Sequence, residues 1–138
     1  SFGRTQSEPN GRNVLPAIKE EANIPLASGM RDAEAMAASV LEGSFRARPL
    51  DQEGEWRAWA IGSRAMLRTF GMWGPKSYRR LPLIVRIRVF GSEEQARELR
   101  LHFQNDEGPY LFRLPTIEPA YRRAYCEIVE GVVAALHG

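Results

Sequence analysis

The 138-residue chain is 43% hydrophobic, 26% charged and 9% aromatic, which excludes a wholly disordered or fibrous protein and makes one globular domain the default. Its single cysteine, Cys126, excludes an internal disulfide and any zinc site built on cysteines, and no apolar run approaches the roughly 18 residues of a membrane helix. The net charge of +2 hides a segregation: residues 1–55 carry 6 basic and 9 acidic groups, residues 56–92 carry 8 basic and no acidic groups, and residues 93–138 carry 5 basic and 8 acidic groups.

Residues 1–27 read as an extended N-terminal arm ahead of a single α+β domain over 28–138. Pro9, Pro16 and Pro25 interrupt any long helix, and only a helical turn around Ala17 to Ala22 is expected. The opening Ser1-Phe2-Gly3-Arg4 is that of a trimmed or processed chain. An arm without periodicity orders by packing on something else, so a partner chain is expected to hold it.

From Arg31 to Glu42 the spacing predicts a helix, with Met30, Ala33, Ala37, Val40 and Leu41 on one stripe and Gly43 as its C-cap. Residues 44–50 alternate weakly, as an edge strand does. Trp56, Trp59, Ala60, Ser63, Leu67 and Phe70 recur at helical spacing, which predicts a second helix with Trp56, Trp59 and Phe70 in the core. Asp51, Glu53 and Glu55 would then supply acidic charge at its N-terminus.

Leu83 to Phe90 is the clearest strand, with Val85, Ile87 and Val89 on one face and Ile84, Arg86, Arg88 and Phe90 on the other. Ser92 and Gln95 fit a capping box for a helix to Gln104; a hairpin strand is the competing reading, because Leu99, Leu101 and Phe103 also alternate. Tyr110 to Leu114 reads as a short strand. Thr116 then caps a long helix through His137, with Tyr121, Ala124, Ile128, Val132 and Ala135 inward. The sum is a two-layer α+β domain of about four helices and a short two- or three-stranded sheet.

Residues 84–100, Ile-Val-Arg-Ile-Arg-Val-Phe-Gly-Ser-Glu-Glu-Gln-Ala-Arg-Glu-Leu-Arg, resemble the strand, capped turn and helix that open a SPOR-type peptidoglycan-binding repeat. The second strand–helix copy of that family is not evident, and no binding residues are carried over from it.

Catalytic constellations are sparse. Gly71-Met72-Trp73-Gly74-Pro75-Lys76-Ser77 lacks Walker spacing and places a proline where an N–H donor is needed. His102 and His137 have no second histidine or cysteine at ligand spacing, and Cys126 reads as a small residue on an apolar helix face, suited to a reducing cytoplasm. An enzyme would need a pocket around His102, Cys126 or the acidic loop. Neither a metal nor a cofactor is implied.

The basic, aromatic block carries more. Arg64, Arg68, Trp73, Lys76, Tyr78, Arg79, Arg80, Arg86 and Arg88 form a candidate surface for an anionic or acidic partner. The bland alternative pairs Arg86 and Arg88 with Glu93, Glu94 or Glu98. The leading expectation is that this arginine-rich chain (17 of its 19 basic residues) is a non-enzymatic subunit of a larger bacterial complex, docking on a protein partner or a second copy through its N-terminal arm and the basic aromatic surface. The alternative is a nucleic-acid binder using the same block. Under the first reading, deleting residues 1–20 weakens assembly and leaves the domain folded.

Overall fold

Strand β4, Leu83–Phe90, lies at the centre of the sheet because its alternation puts Leu83, Val85 and Ile87 on one face, all buried. It belongs to a computed structural model that describes residues 17–27, 32–63, 81–91, 97–106 and 117–137. Around it stand β1 (Lys19–Leu26), α1 (Ala33–Ser44), β2 (Arg48–Pro49), β3 (Arg57–Ile61), β5 (Arg97–Asn105) and α2 (Ile117–His137). The strands form one antiparallel sheet in the order β1-β5-β4-β3-β2. Both helices pack on the same face, where Trp59, Val85, Ile87, Leu99, Leu101 and Phe103 meet Ala37, Leu41, Tyr121, Tyr125, Ile128 and Val132 in a single core. Neither described helix is long and apolar enough to cross a membrane.

The described residues thus hold two helices and a five-stranded sheet, which corrects the expected four helices and two or three strands. The segment after Trp56 is strand β3, not a helix; in register with β4, Arg57, Trp59 and Ile61 face the helices and Ala58 and Ala60 face away. Ala58 on the outer face is buried as well, and burial on both faces erases the period-two signal. The remainder of that expected helix, and the expected strand Tyr110 to Leu114, lie outside the described residues.

β5 settles the choice at 97–105 for the hairpin partner: Leu99, Leu101 and Phe103 are buried while Glu98, Arg100, His102 and Gln104 face outward. Hydrogen-bonded neighbours on both sides, β1 and β4, override the local helix propensity. The strand–turn–helix likeness of residues 84–100 therefore ends at β4, since a strand stands where that repeat has its helix.

The expected helical turn at Ala17 to Ala22 is also a strand. β1 is the sheet edge, where Pro25 is tolerated because it need not donate to a neighbour. The expected weak edge strand is the two-residue β2 at the other side. Helix α1 runs two residues past Glu42, so Gly43 lies inside it; the cap falls at Phe45, and Arg46 takes the left-handed turn at φ 55°. Helix α2 matches its expected span, with Tyr125 and Leu136 joining the buried stripe and Ala135 only half-buried.

Two tyrosines of α2 pin the strand ends. The Tyr125 hydroxyl donates to the Ile18 carbonyl at 2.7 Å, and the Tyr121 hydroxyl donates to the Pro82 carbonyl at 3.0 Å. The buried Asn105 accepts from the Ile18 amide through Oδ1 at 2.8 Å and donates its own amide back to the Ile18 carbonyl at 3.3 Å. Buried backbone groups at the start of β1 are satisfied this way.

Candidate functional site

Among the described residues both helices cover one face of the sheet, and the other face carries the polar and aromatic side chains. The register of β4 against β5 puts Arg86 opposite His102, Arg88 opposite Arg100 and Phe90 opposite Glu98. On the next strand Glu21 lies opposite His102.

Two guanidinium groups facing each other across a strand pair repel. Here both pack on Phe90: the Arg88 guanidinium carbon lies 4.4 Å from the ring centroid and that of Arg100 lies 4.0 Å from it. Glu98 accepts from Arg100 Nε and Nη2 at 3.2 and 3.0 Å. Trp56, at the end of the turn before β3, lays its ring over the His102 imidazole at 4.4 Å and meets Phe90 edge-on at 5.9 Å. The same turn sends Glu53 to Arg86 Nε at 2.9 Å and Glu55 to Arg88.

The cations of this face are thus matched by carboxylates. Arg86, Arg88 and Arg100 pair with Glu53, Glu55 and Glu98, and Trp56 and Phe90 pack among them. A shallow depression of about 470 Å³ opens beside the cluster, bordered by Lys19, Glu21, Arg86, His102 and Gln104. In its wall His102 Nε2 lies 3.2 Å from Glu21 Oε2 without hydrogen-bond geometry, and has no hydrogen-bond partner among the described residues.

Of the nine candidate residues, Arg86 and Arg88 come together on this face; Arg64, Arg68, Trp73, Lys76, Tyr78, Arg79 and Arg80 lie outside the described residues. The pairing of Arg86 and Arg88 is intramolecular, but through Glu53 and Glu55 and not through Glu98. Glu93 and Glu94 lie outside the described residues. The acidic loop is consequently no helix N-terminus: Glu53 and Trp56 bond each other's backbone at 3.0 Å in both directions, closing a turn. Sequence reasoning missed Arg100, His102 and the outward position of Trp56. Reading 97–105 as a strand would have exposed the first two, because they alternate with Leu99, Leu101 and Phe103.

The remaining reactive groups do not assemble. Cys126 is exposed on α2, correcting its expected apolar setting, and lies on the helix side of the sheet, whereas His102 faces the other way. A Cys126–His102 pair is therefore excluded by geometry. His137 contacts the Pro25 carbonyl at 3.2 Å. Among the described residues no three His, Cys, Asp or Glu gather as a metal site would require.

The Glu130 carboxylate, 3.7 Å from Cys126 Sγ, raises the thiol pKa above its ordinary value, helped by desolvation and by Glu127 and Glu20. Alkylation by iodoacetamide is expected to gain speed only at a higher pH than for a free cysteine peptide, and Glu130→Gln is expected to move that profile back down. Coincident profiles for the two proteins would contradict this account. Compared with known families and curated proteins, the sequence matches no family model and no characterised protein.

Proposed function

We propose that this chain is a non-enzymatic docking subunit that seats on a protein partner through the sheet face opposite the two described helices. The observation that carries this reading is the Trp56–Phe90–Arg88–Arg100 cluster, a set of aromatic and arginine side chains held outward by β4, β5 and the 53–56 turn. Trp, Phe and Arg are the residues enriched at protein interfaces, and anchors of this kind carry most of the binding energy there. Among the described residues the charge on this face is nearly balanced, which favours a protein over a nucleic acid, since the latter recruits an unopposed basic surface.

The test places a photo-reactive amino acid at Phe90 and, separately, at Ser39 on the exposed side of α1, in the native host. A discrete adduct from position 90, absent from position 39 and lost on adding Arg88→Glu, is the expected result. Equal cross-linking from both faces would sink the reading. Oligonucleotide binding whose log affinity falls with log salt at a slope of roughly −3 or steeper would replace it with the nucleic-acid alternative.

A further inference from the structure

The 53–56 turn is built to present two carboxylates at once. Gly54 takes a left-handed φ of 62°, and the Gln52 side chain donates to its carbonyl at 2.9 Å. Glu53 and Glu55, two residues apart, thereby meet Arg86 and Arg88, which are also two residues apart on β4 and so roughly 6.6 Å from each other along the strand. The arginine side chains are 28% and 33% exposed and form part of the sheet wall, while the glutamates are 61% and 72% exposed and reach in from the solvent side. Each carboxylate can leave its arginine without unpacking anything.

We infer that the 53–56 turn is an internal competitor for this face, and that the partner is an extended acidic segment carrying carboxylates on alternate residues. The inference rests on the docking reading and deepens it. The chain's own carboxylates mark where the partner's would sit. Arg86 and Arg88 read the alternate carboxylates, and Arg100, across from Arg88 and already held by Glu98, packs on Phe90 beside them. Solvent-exposed ion pairs are weak, so a segment bringing several carboxylates together displaces the turn at little cost.

The probe is a fluorescein-labelled peptide alternating glutamate and serine, titrated by anisotropy against the full chain. The Glu53→Gln/Glu55→Gln protein is expected to bind it about tenfold more tightly than the unsubstituted chain, since two competing pairs are gone. Glu127→Gln/Glu130→Gln makes the same charge change on α2 and is expected to give no comparable gain. Adding Arg88→Ala/Arg100→Ala to the first variant is expected to abolish the gain. Thermal unfolding of each variant establishes that the fold is retained.

Equal affinity of the unsubstituted chain and the Glu53→Gln/Glu55→Gln variant would overturn the competitor role. If that shared affinity still vanished with Arg88→Ala/Arg100→Ala, the docking face would stand without its internal competitor. An equal gain from the α2 control would overturn the inference by reducing it to net charge. Tighter binding of an oligothymidylate than of the peptide would overturn the acidic-segment partner. Failure of every variant to bind the peptide would overturn it too, while the cross-linking from Phe90 judges the docking reading independently.

Discussion

Deleting residues 1–20 is expected to cost the domain several kcal/mol and to lower its thermal midpoint by roughly 15 °C. The deletion reaches into β1 and removes Ile18, which is buried and bonded on both sides of its peptide. The bonds from the Ile18 amide to Asn105 Oδ1 and from the Tyr125 hydroxyl to the Ile18 carbonyl are then lost, together with the burial of the Ile18 side chain. Each lost bond costs about 0.5–1.5 kcal/mol and the buried Ile18 side chain about 1.5–3 kcal/mol more, against a total stability that for a domain of this size is ~5–15 kcal/mol. Asn105→Ala and Tyr125→Phe should each reproduce part of the loss, about 1–2 kcal/mol, in urea titrations. An unchanged midpoint for the deletion would show that Ile18 and the first two residues of β1 contribute nothing to the fold. The expectation that residues 1–20 are dispensable for folding is thereby withdrawn, and any truncation meant to probe assembly has to spare Ile18.

Trp59→Ala is expected to destabilise the domain by about 3–5 kcal/mol, the range for truncating a buried aromatic side chain. Trp59 is fully buried in β3 between β4 and the helices, and the Arg57 guanidinium lies 4.9 Å from its ring. Its indole Nε1 donates to Glu42 Oε2 at 2.9 Å, which ties β3 to the end of α1. Because Glu42 is itself exposed, losing that bond adds little. Most of the cost is the cavity, so Trp59→Phe should lose less than half as much. Urea unfolding with an unchanged m-value measures both, and a loss under about 1 kcal/mol for Trp59→Ala would mean the site collapses without a cavity.

The elements legible from residues alone share one property: their burial is one-sided. β4 alternates cleanly because Arg86 and Arg88 sit on its outer face, and α2 shows its stripe because Arg122, Arg123 and Glu130 stay in water. Salt bridges from Arg122 to Glu20 and Glu118 even fix that outer side to β1, and they raise the guanidinium pKa further, chiefly through the Glu118 hydrogen bond. β3 lacked this contrast. Trp56, Trp59 and Ala60 fit a helical wheel, and only pairing with β4 shows that Trp56 and Trp59 point to opposite faces.

The candidate face was half legible for the same reason. Arg86 and Arg88 could be placed on one side of a strand from the alternation around them. Arg100 and His102 became visible only when β5 paired with both β1 and β4, since residues 97–104 fit a helix nearly as well. Glu53 and Glu55 were noticed as charges, but their partners lie 33 residues away along the chain, a separation no local pattern encodes.

By itself, then, the amino-acid sequence determined the α+β class, the spans of α1 and α2 to within two residues, strand β4 and the outward arginines on it. Tertiary structure decided the number of strands, the sheet order, the role of Ile18 as an anchor and the pairing of the basic block with the 53–55 carboxylates. The division follows from range. Periodicity reports which face of an element is buried, whereas strand pairing and ion pairing join residues whose proximity exists only after the chain has folded.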